Sequence, residues 1–184
     1  MRIVAGRRKG MTLRVPEGLA VRPTPMRVRE AAMSILGGQL DGWHVLDLCA
    51  GSGAIGLECA SRGAARVVLV EPDRQALVSL RDNVARANFG PEVEVWPSDA
   101  ASAIARAARQ GARFDLVWLD PPWSAELHAT LLQALAAAAL IRPGGEVCVE
   151  SERGVCDDST PFSLIERRRY GSVVLERLAA KEPA

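Results

Sequence analysis

From Trp43 onward, short apolar runs of strand character alternate with segments of helical composition, and this alternation limits the possible folds more than any other feature. The candidate strands are His44 to Leu48, Arg66 to Glu71, Glu92 to Trp96, Phe114 to Leu119 and Gly145 to Glu150. Strands separated by helices predict a parallel sheet with helices on both faces. The pattern changes near the end of the chain. There Ser163 to Tyr170 and Ser172 to Leu178 adjoin at Gly171 and read as an antiparallel pair closing one edge. The expected fold class is therefore α/β: a doubly wound, seven-stranded, Rossmann-like sheet, mostly parallel, with an antiparallel C-terminal hairpin.

The residues before this pattern read as an appendage. Arg2 to Ala5 and Met11 to Val15 have strand character and flank Gly6, Arg7, Arg8, Lys9 and Gly10, which predicts a small N-terminal β-hairpin with a basic tip, lying outside the core. Pro16 to Pro25 reads as an extended linker, and Met26 to Leu36 has helical spacing stopped by Gly37 and Gly38. The division expected is residues 1–22 as a basic hairpin and linker, and 23–184 as the main domain. Charge follows the same division. The chain is +1 overall, but residues 1–30 carry a net +6, residues 31–165 a net −7 and the remainder +2. A basic arm on an acidic body suits contact with a polyanion, because Lys and Arg displace counterions from phosphates. A solvated basic hairpin is the alternative.

Three strand ends carry the residues expected to hold a cofactor. Asp47-Leu48-Cys49-Ala50-Gly51-Ser52-Gly53-Ala54-Ile55-Gly56 follows the first strand and opens a helix. Gly51 and Gly53 permit a tight turn and close approach of a ligand to the backbone of Ala50, Gly51, Ser52 and Gly53, while Asp47 supplies an acceptor. Gly51 to Gly56 also satisfies GxGxxG, so this motif alone does not separate a dinucleotide from S-adenosylmethionine. Glu71, twenty residues beyond Gly51 and followed by Pro72, ends the second strand where a carboxylate can accept both hydroxyls of a ribose. At the third strand end, Asp99 and Ala100 lie over the same crevice; Asp99 can accept from an adenine amine or cap the next helix.

The fourth strand ends in Asp120-Pro121-Pro122-Trp123. Paired prolines preorganise the backbone and leave carbonyls that no helix consumes. A carboxylate from Asp120 and a carbonyl from Pro121, accepting the two protons of an exocyclic amine, would make its nitrogen more pyramidal and more nucleophilic. Trp123 offers a face on which a base can stack. A rigid turn with a buried Trp is the bland alternative.

Taken together, DLCAGSGAIGLE, VEPD, SDA and LDPPW resemble the class I methyltransferases that modify amino groups. MRIVAG, the RPT segment Arg22 to Thr24, RVREA from Arg27 to Ala31 and the late Arg169-Tyr170-Gly171 are similar to the bacterial 16S ribosomal RNA guanine-N2 methyltransferases of the RsmD family, over nearly the whole chain. The chain departs from that pattern at Pro25-Met26, Ser34, Cys49 and Trp123. The resemblance implies methyl transfer from S-adenosyl-L-methionine to guanine N2 of 16S ribosomal RNA, free or in an assembling small subunit. RNA contacts would come from Arg7, Arg8, Lys9, Arg22, Arg27 and Arg29. Adenine N6 in DNA and a protein glutamine are alternative acceptors. From other classes, a nicotinamide-dependent oxidoreductase and a noncatalytic RNA-binding protein are rival readings.

The remaining features are bland. Cys49, Cys59, Cys148 and Cys156 form no CxxC pair and read as small core residues, His44 and His128 have no metal-ligand spacing, and Leu131 to Leu140 reads as core. No apolar stretch reaches the length of a membrane span, and the basic N-terminus has no hydrophobic run behind it. The expectation is a cytoplasmic, monomeric protein without a metal.

Overall fold

A computed structural model describes residues 1–15, 26–122 and 125–181. Its seven strands are β1 (His44–Asp47), β2 (Arg66–Val70), β3 (Val93–Trp96), β4 (Phe114–Leu119), β5 (Ile141–Ser151), β6 (Phe162–Tyr170) and β7 (Val173–Ala180). They form one sheet in the order β3-β2-β1-β4-β5-β7-β6. Strands β1 to β5 pair in parallel, whereas β7 runs antiparallel to both β5 and β6. The expected class and strand count hold; β5 begins four residues earlier than Gly145, carrying Arg142 and Pro143 into the strand.

Period-two alternation along the central strands divides the core between the two faces. Val45, Val67, Leu69, Leu116 and Trp118 pack on one side, against α1 (Met26–Ile35), α2 (Ala54–Ser61) and α3 (Arg74–Ala87). Leu46, Val68, Val70, Val117 and Leu119 pack on the other, against α4 (Ala100–Arg109) and α5 (Ala125–Ala137). Leu131, Leu132 and Leu135 of α5 are core, as expected, whereas Leu127 near its start is exposed. Helix α2 lies unusually close to the sheet, since a Cβ on Gly56 would come within 2.1 Å of Leu69 Cδ2. That close approach is the structural need for glycine at this position.

The N-terminal segment has the expected hairpin form but not the expected placement. Arg2 bridges Thr12 in antiparallel fashion, the Ile3 amide donates to the Met11 carbonyl and the Leu13 amide to the Met1 carbonyl, each at 2.9 Å, and a 3-10 turn at Gly6–Arg8 closes the pair. It does not lie outside the core: Ile3 and Leu13 are 0% and 2% exposed and belong to the same apolar cluster as α2 and α3. Burying two large aliphatic side chains stabilises that docking by about 1.5–3 kcal/mol each. The arm is thus docked on the body through Ile3 and Leu13.

Candidate active site

Sheet order reverses between β1 and β4, and in open α/β sheets ligands bind outside the carboxyl ends of the strands at such a point. The two central motifs rise from these adjacent strands. Asp47 pairs with Trp118, so the glycine turn and Asp120 leave the sheet side by side. The turn is pinned to both neighbouring strands: the Leu48 amide donates to the Trp118 carbonyl at 3.0 Å and the Ala50 amide to the Val70 carbonyl at 2.9 Å.

Within the turn, Gly51 and Gly53 have φ of 53° and 82°, the left-handed region that other residues avoid. A Cβ on Gly53 would strike Leu80 Cδ1 at 2.5 Å, whereas one on Gly51 would meet nothing within 4 Å. Open space over Gly51 leaves room for a ligand against the backbone. Glu71, 8% exposed, reaches the turn from β2: one carboxylate oxygen accepts the Gly51 amide at 2.8 Å and the other the Asp73 amide at 2.8 Å. Each oxygen retains a second lone pair for a further donor. Pro72 beside it is exposed, and Ala50 and Ser52 are each 8% exposed.

Asp47 lies beneath the turn, 1% exposed, and accepts the Gly56 amide at 3.1 Å. Burial, with the charges of Asp120 and Glu71 nearby, raises its carboxyl to about 7 despite the Gly56 bond. Three carboxylates therefore converge on one crevice. Cys49 sits among them, and burial, with Asp47, Asp120 and Glu71, pushes its thiol far up, so it stays protonated. Asp120 is half-buried, Pro121 buried and Pro122 exposed; Trp123 lies outside the described residues.

Asp99 takes the capping role. It is exposed, and its two oxygens accept the Ser102 amide and the Ser102 hydroxyl, both at 2.8 Å. These bonds hold its pKa below the usual carboxylate value. Ala100 begins α4 and packs against the second core cluster.

The basic residues divide by environment. Lys9 is exposed. Arg7 donates to the Ala60 carbonyl and to Glu92, each at 3.2 Å, while Arg8 donates to the Ala87 and Asn88 carbonyls. Both guanidinium groups lie over the Phe89 ring, 5.2 and 5.6 Å from its centre. Part of their donor capacity therefore docks the arm onto the body. Arg29 departs from the surface role expected of it, being 1% exposed and donating to the Arg2 carbonyl at 3.3 Å. Helical phase turns Arg29 inward beside Val28 and Ala32, and burial depresses its basicity against the opposing pull of Glu58, Glu30 and Glu150. Arg22 lies outside the described residues, and only the helical backbone of Arg27 is described.

Two supporting residues escape a reading of the sequence by motif. Glu58 of α2, 1% exposed, accepts the Val4 amide at 2.7 Å and the Ala5 amide at 3.0 Å, and pairs with Arg62 at 2.8 Å. Asn83 of α3, 0% exposed, bonds both Arg14 and Ser52. The available signal was polarity at core positions. Every residue of α2 is buried, and Asn83 continues the inward series Ala76, Leu77, Leu80 of α3. A polar group there needs a partner. Among the described residues, no three His, Cys, Asp or Glu side chains are grouped to hold a metal, and no helix is long and apolar enough to cross a membrane.

Residues 1–178 match a protein family described as conserved hypothetical protein 95. The chain is 35% identical over 184 residues to ribosomal RNA small subunit methyltransferase D of Escherichia coli K12, covering 99% of this chain and 90% of that protein. The protein of the same name from Haemophilus influenzae is 29% identical over 153 residues, covering 83% and 79%. Among solved structures, a hypothetical protein of Thermus thermophilus superimposes with a TM-score of 0.83 at 33% identity, over 98% of this chain and 99% of that one.

Proposed function

The chain belongs to the ribosomal RNA small subunit methyltransferase D family, and from that membership and the site geometry we propose that it methylates the exocyclic N2 amine of a guanine in 16S ribosomal RNA, with S-adenosylmethionine as donor. The observation that carries this reading is the pairing of Asp47 with Trp118, which sets the glycine turn and the Asp120-Pro121 segment on neighbouring strands at one rim.

The residues present fit the donor. Space over Gly51 admits a ligand to the backbone, and Glu71 keeps acceptor capacity for ribose hydroxyls. The convergence of Asp47, Glu71 and Asp120 favours a cation, which the sulfonium donor is, and opposes the diphosphate of a nicotinamide dinucleotide. Asp99 already caps α4, so an adenine contact there would share its oxygens with Ser102.

The donor supplies an electrophilic methyl group; the chain aligns an amine with it. Asp120 and the Pro121 carbonyl accept the two amine protons and orient the nitrogen lone pair, and Trp123 stacks the base. With the methyl of a bound donor passing to the nitrogen and its sulfur keeping the bonding pair, the amine would carry one proton too many, which water or Asp120 would accept. Alignment accounts for most of the acceleration. Lys9, with Arg7, Arg8, Arg22 and Arg27, supplies the positive charge proposed to draw RNA phosphates.

Asp120→Ala is expected to lower kcat about a hundredfold or more while leaving S-adenosylhomocysteine affinity within about threefold. The assay is transfer of tritiated methyl to small-subunit RNA, followed by nucleoside analysis for N2-methylguanosine. Full activity in Asp120→Ala would remove the amine-holding role, and label on adenine would change the target base.

A further inference from the structure

The glycine turn is held from two directions. Glu71 takes the Gly51 amide from the β2 side, and on the α3 side the Asn83 side-chain amide donates to the Ser52 carbonyl at 2.9 Å. The same side chain continues to the N-terminal arm. Its amide nitrogen also donates to the Arg14 carbonyl at 2.8 Å, and its oxygen accepts the Arg14 amide at 2.8 Å. Three hydrogen bonds from one fully buried amide thus use both donors and one acceptor position of that group. A second contact joins the same two segments: the Ser52 hydroxyl lies 3.9 Å from the Met1 thioether sulfur, at the start of the arm.

We propose that Asn83 is a positioning residue for donor binding, setting the Ser52 carbonyl and hence the shape of the glycine turn, and that the N-terminal arm contributes to donor affinity by holding Asn83. The proposal rests on reading the Gly51–Gly53 turn as the donor cradle. Its physical basis is competition for rotamers. An amide on α3 with a single partner can rotate away, whereas the paired Arg14 bonds lock its plane and leave one N–H aimed at Ser52. A conformationally sparse turn with two left-handed glycines depends on such outside support to stay in one shape. Donor binding in this chain then draws on residues 1–14 as well as on the sheet crevice.

The test is calorimetric titration of the full chain with S-adenosylhomocysteine, beside steady-state kinetics. Asn83→Leu keeps the volume and removes all three bonds; Arg14→Pro removes the Arg14 N–H together with the exposed guanidinium that pairs with Asp82 at 3.0 Å, and covers the case in which Asn83→Leu does not fold. Asn83→Leu is expected to weaken S-adenosylhomocysteine binding about tenfold, the change expected for loss of a hydrogen bond of this kind, and Arg14→Pro by about threefold in the same direction. In both, KM for the donor rises while kcat and KM for RNA hold, a split that general destabilisation does not give. Arg14→Ala removes the same side chain and keeps both backbone bonds, so the effect of Arg14→Pro beyond that of Arg14→Ala is the share that belongs to the N–H. Wild-type affinity in both folded variants would overturn the proposal. Failure of the wild-type chain itself to bind S-adenosylhomocysteine would instead overturn the donor-site reading.

Discussion

Asp47 carries a pH dependence that follows from its burial. An ordinary aspartate titrates near 3.8, and this one near 7 in the folded chain. Between those values the folded chain binds a proton that the unfolded chain has released, so the Asp47 contribution to stability falls as pH rises from about 4 to 7 and is level above. The difference corresponds to about 4 kcal/mol. Asp47→Asn keeps an acceptor for the Gly56 amide and removes the ionisation. Its melting temperature is expected to stay nearly level over the pH range in which the wild type declines, as scanning calorimetry from pH 5 to 8 would record. A cationic donor beside these carboxylates favours their ionised forms. Donor binding near pH 7 should therefore release a proton in the wild type and not in Asp47→Asn, measurable as a dependence of binding heat on buffer ionisation enthalpy.

At the scale of elements, one buried carboxylate joins the Ile3 and Leu13 packing and the Ala60 and Ser61 bonds in docking the arm on α2. Glu58 satisfies two arm amides and the Arg62 guanidinium, itself only 10% exposed. Glu58→Ala leaves all three groups without that partner and is expected to cost about 3–5 kcal/mol in chemical denaturation, with Glu58→Gln costing less because an amide oxygen still accepts. This docking also marks where the sequence was hard to read. Strand and helix order was legible because apolar alternation and glycine turns act locally, and the two motifs could be placed at strand ends for the same reason. The arm was not. Its two core residues, Ile3 and Leu13, sit in short runs whose composition suits an exposed hairpin equally well, and only contact with α2 and α3 decides their burial. Arg29 was misplaced for a related cause: a basic residue in a basic segment reads as surface, and the turn of α1 that faces it inward depends on what packs there. Asp99 as a helix cap was within reach, since Asp before a helix favours that role.

Considered whole, the molecule carries less free positive charge on its arm than the count of +6 for residues 1–30 implies. Arg29 is enclosed, and Arg7, Arg8 and Arg14 each bond the body through side chain or backbone. Lys9 remains as an exposed cation at the tip. Lys9→Ala is expected to lower the salt dependence of RNA binding by about one in the slope of log K against log salt, with donor affinity unchanged; an unaltered slope in a filter-binding series would place RNA elsewhere. The sheet order has a consequence of a different kind. β6 precedes β7 in the chain yet lies outside it, bonded in the sheet only through β7, which alone joins it to β5. As the nascent polypeptide emerges, β6 therefore has no berth until residues 173–180 have followed it, and β5 keeps a bare margin for the same interval. Closure of the sheet waits on the last of its strands to be synthesised, so the five parallel strands must persist for a time as an incomplete platform.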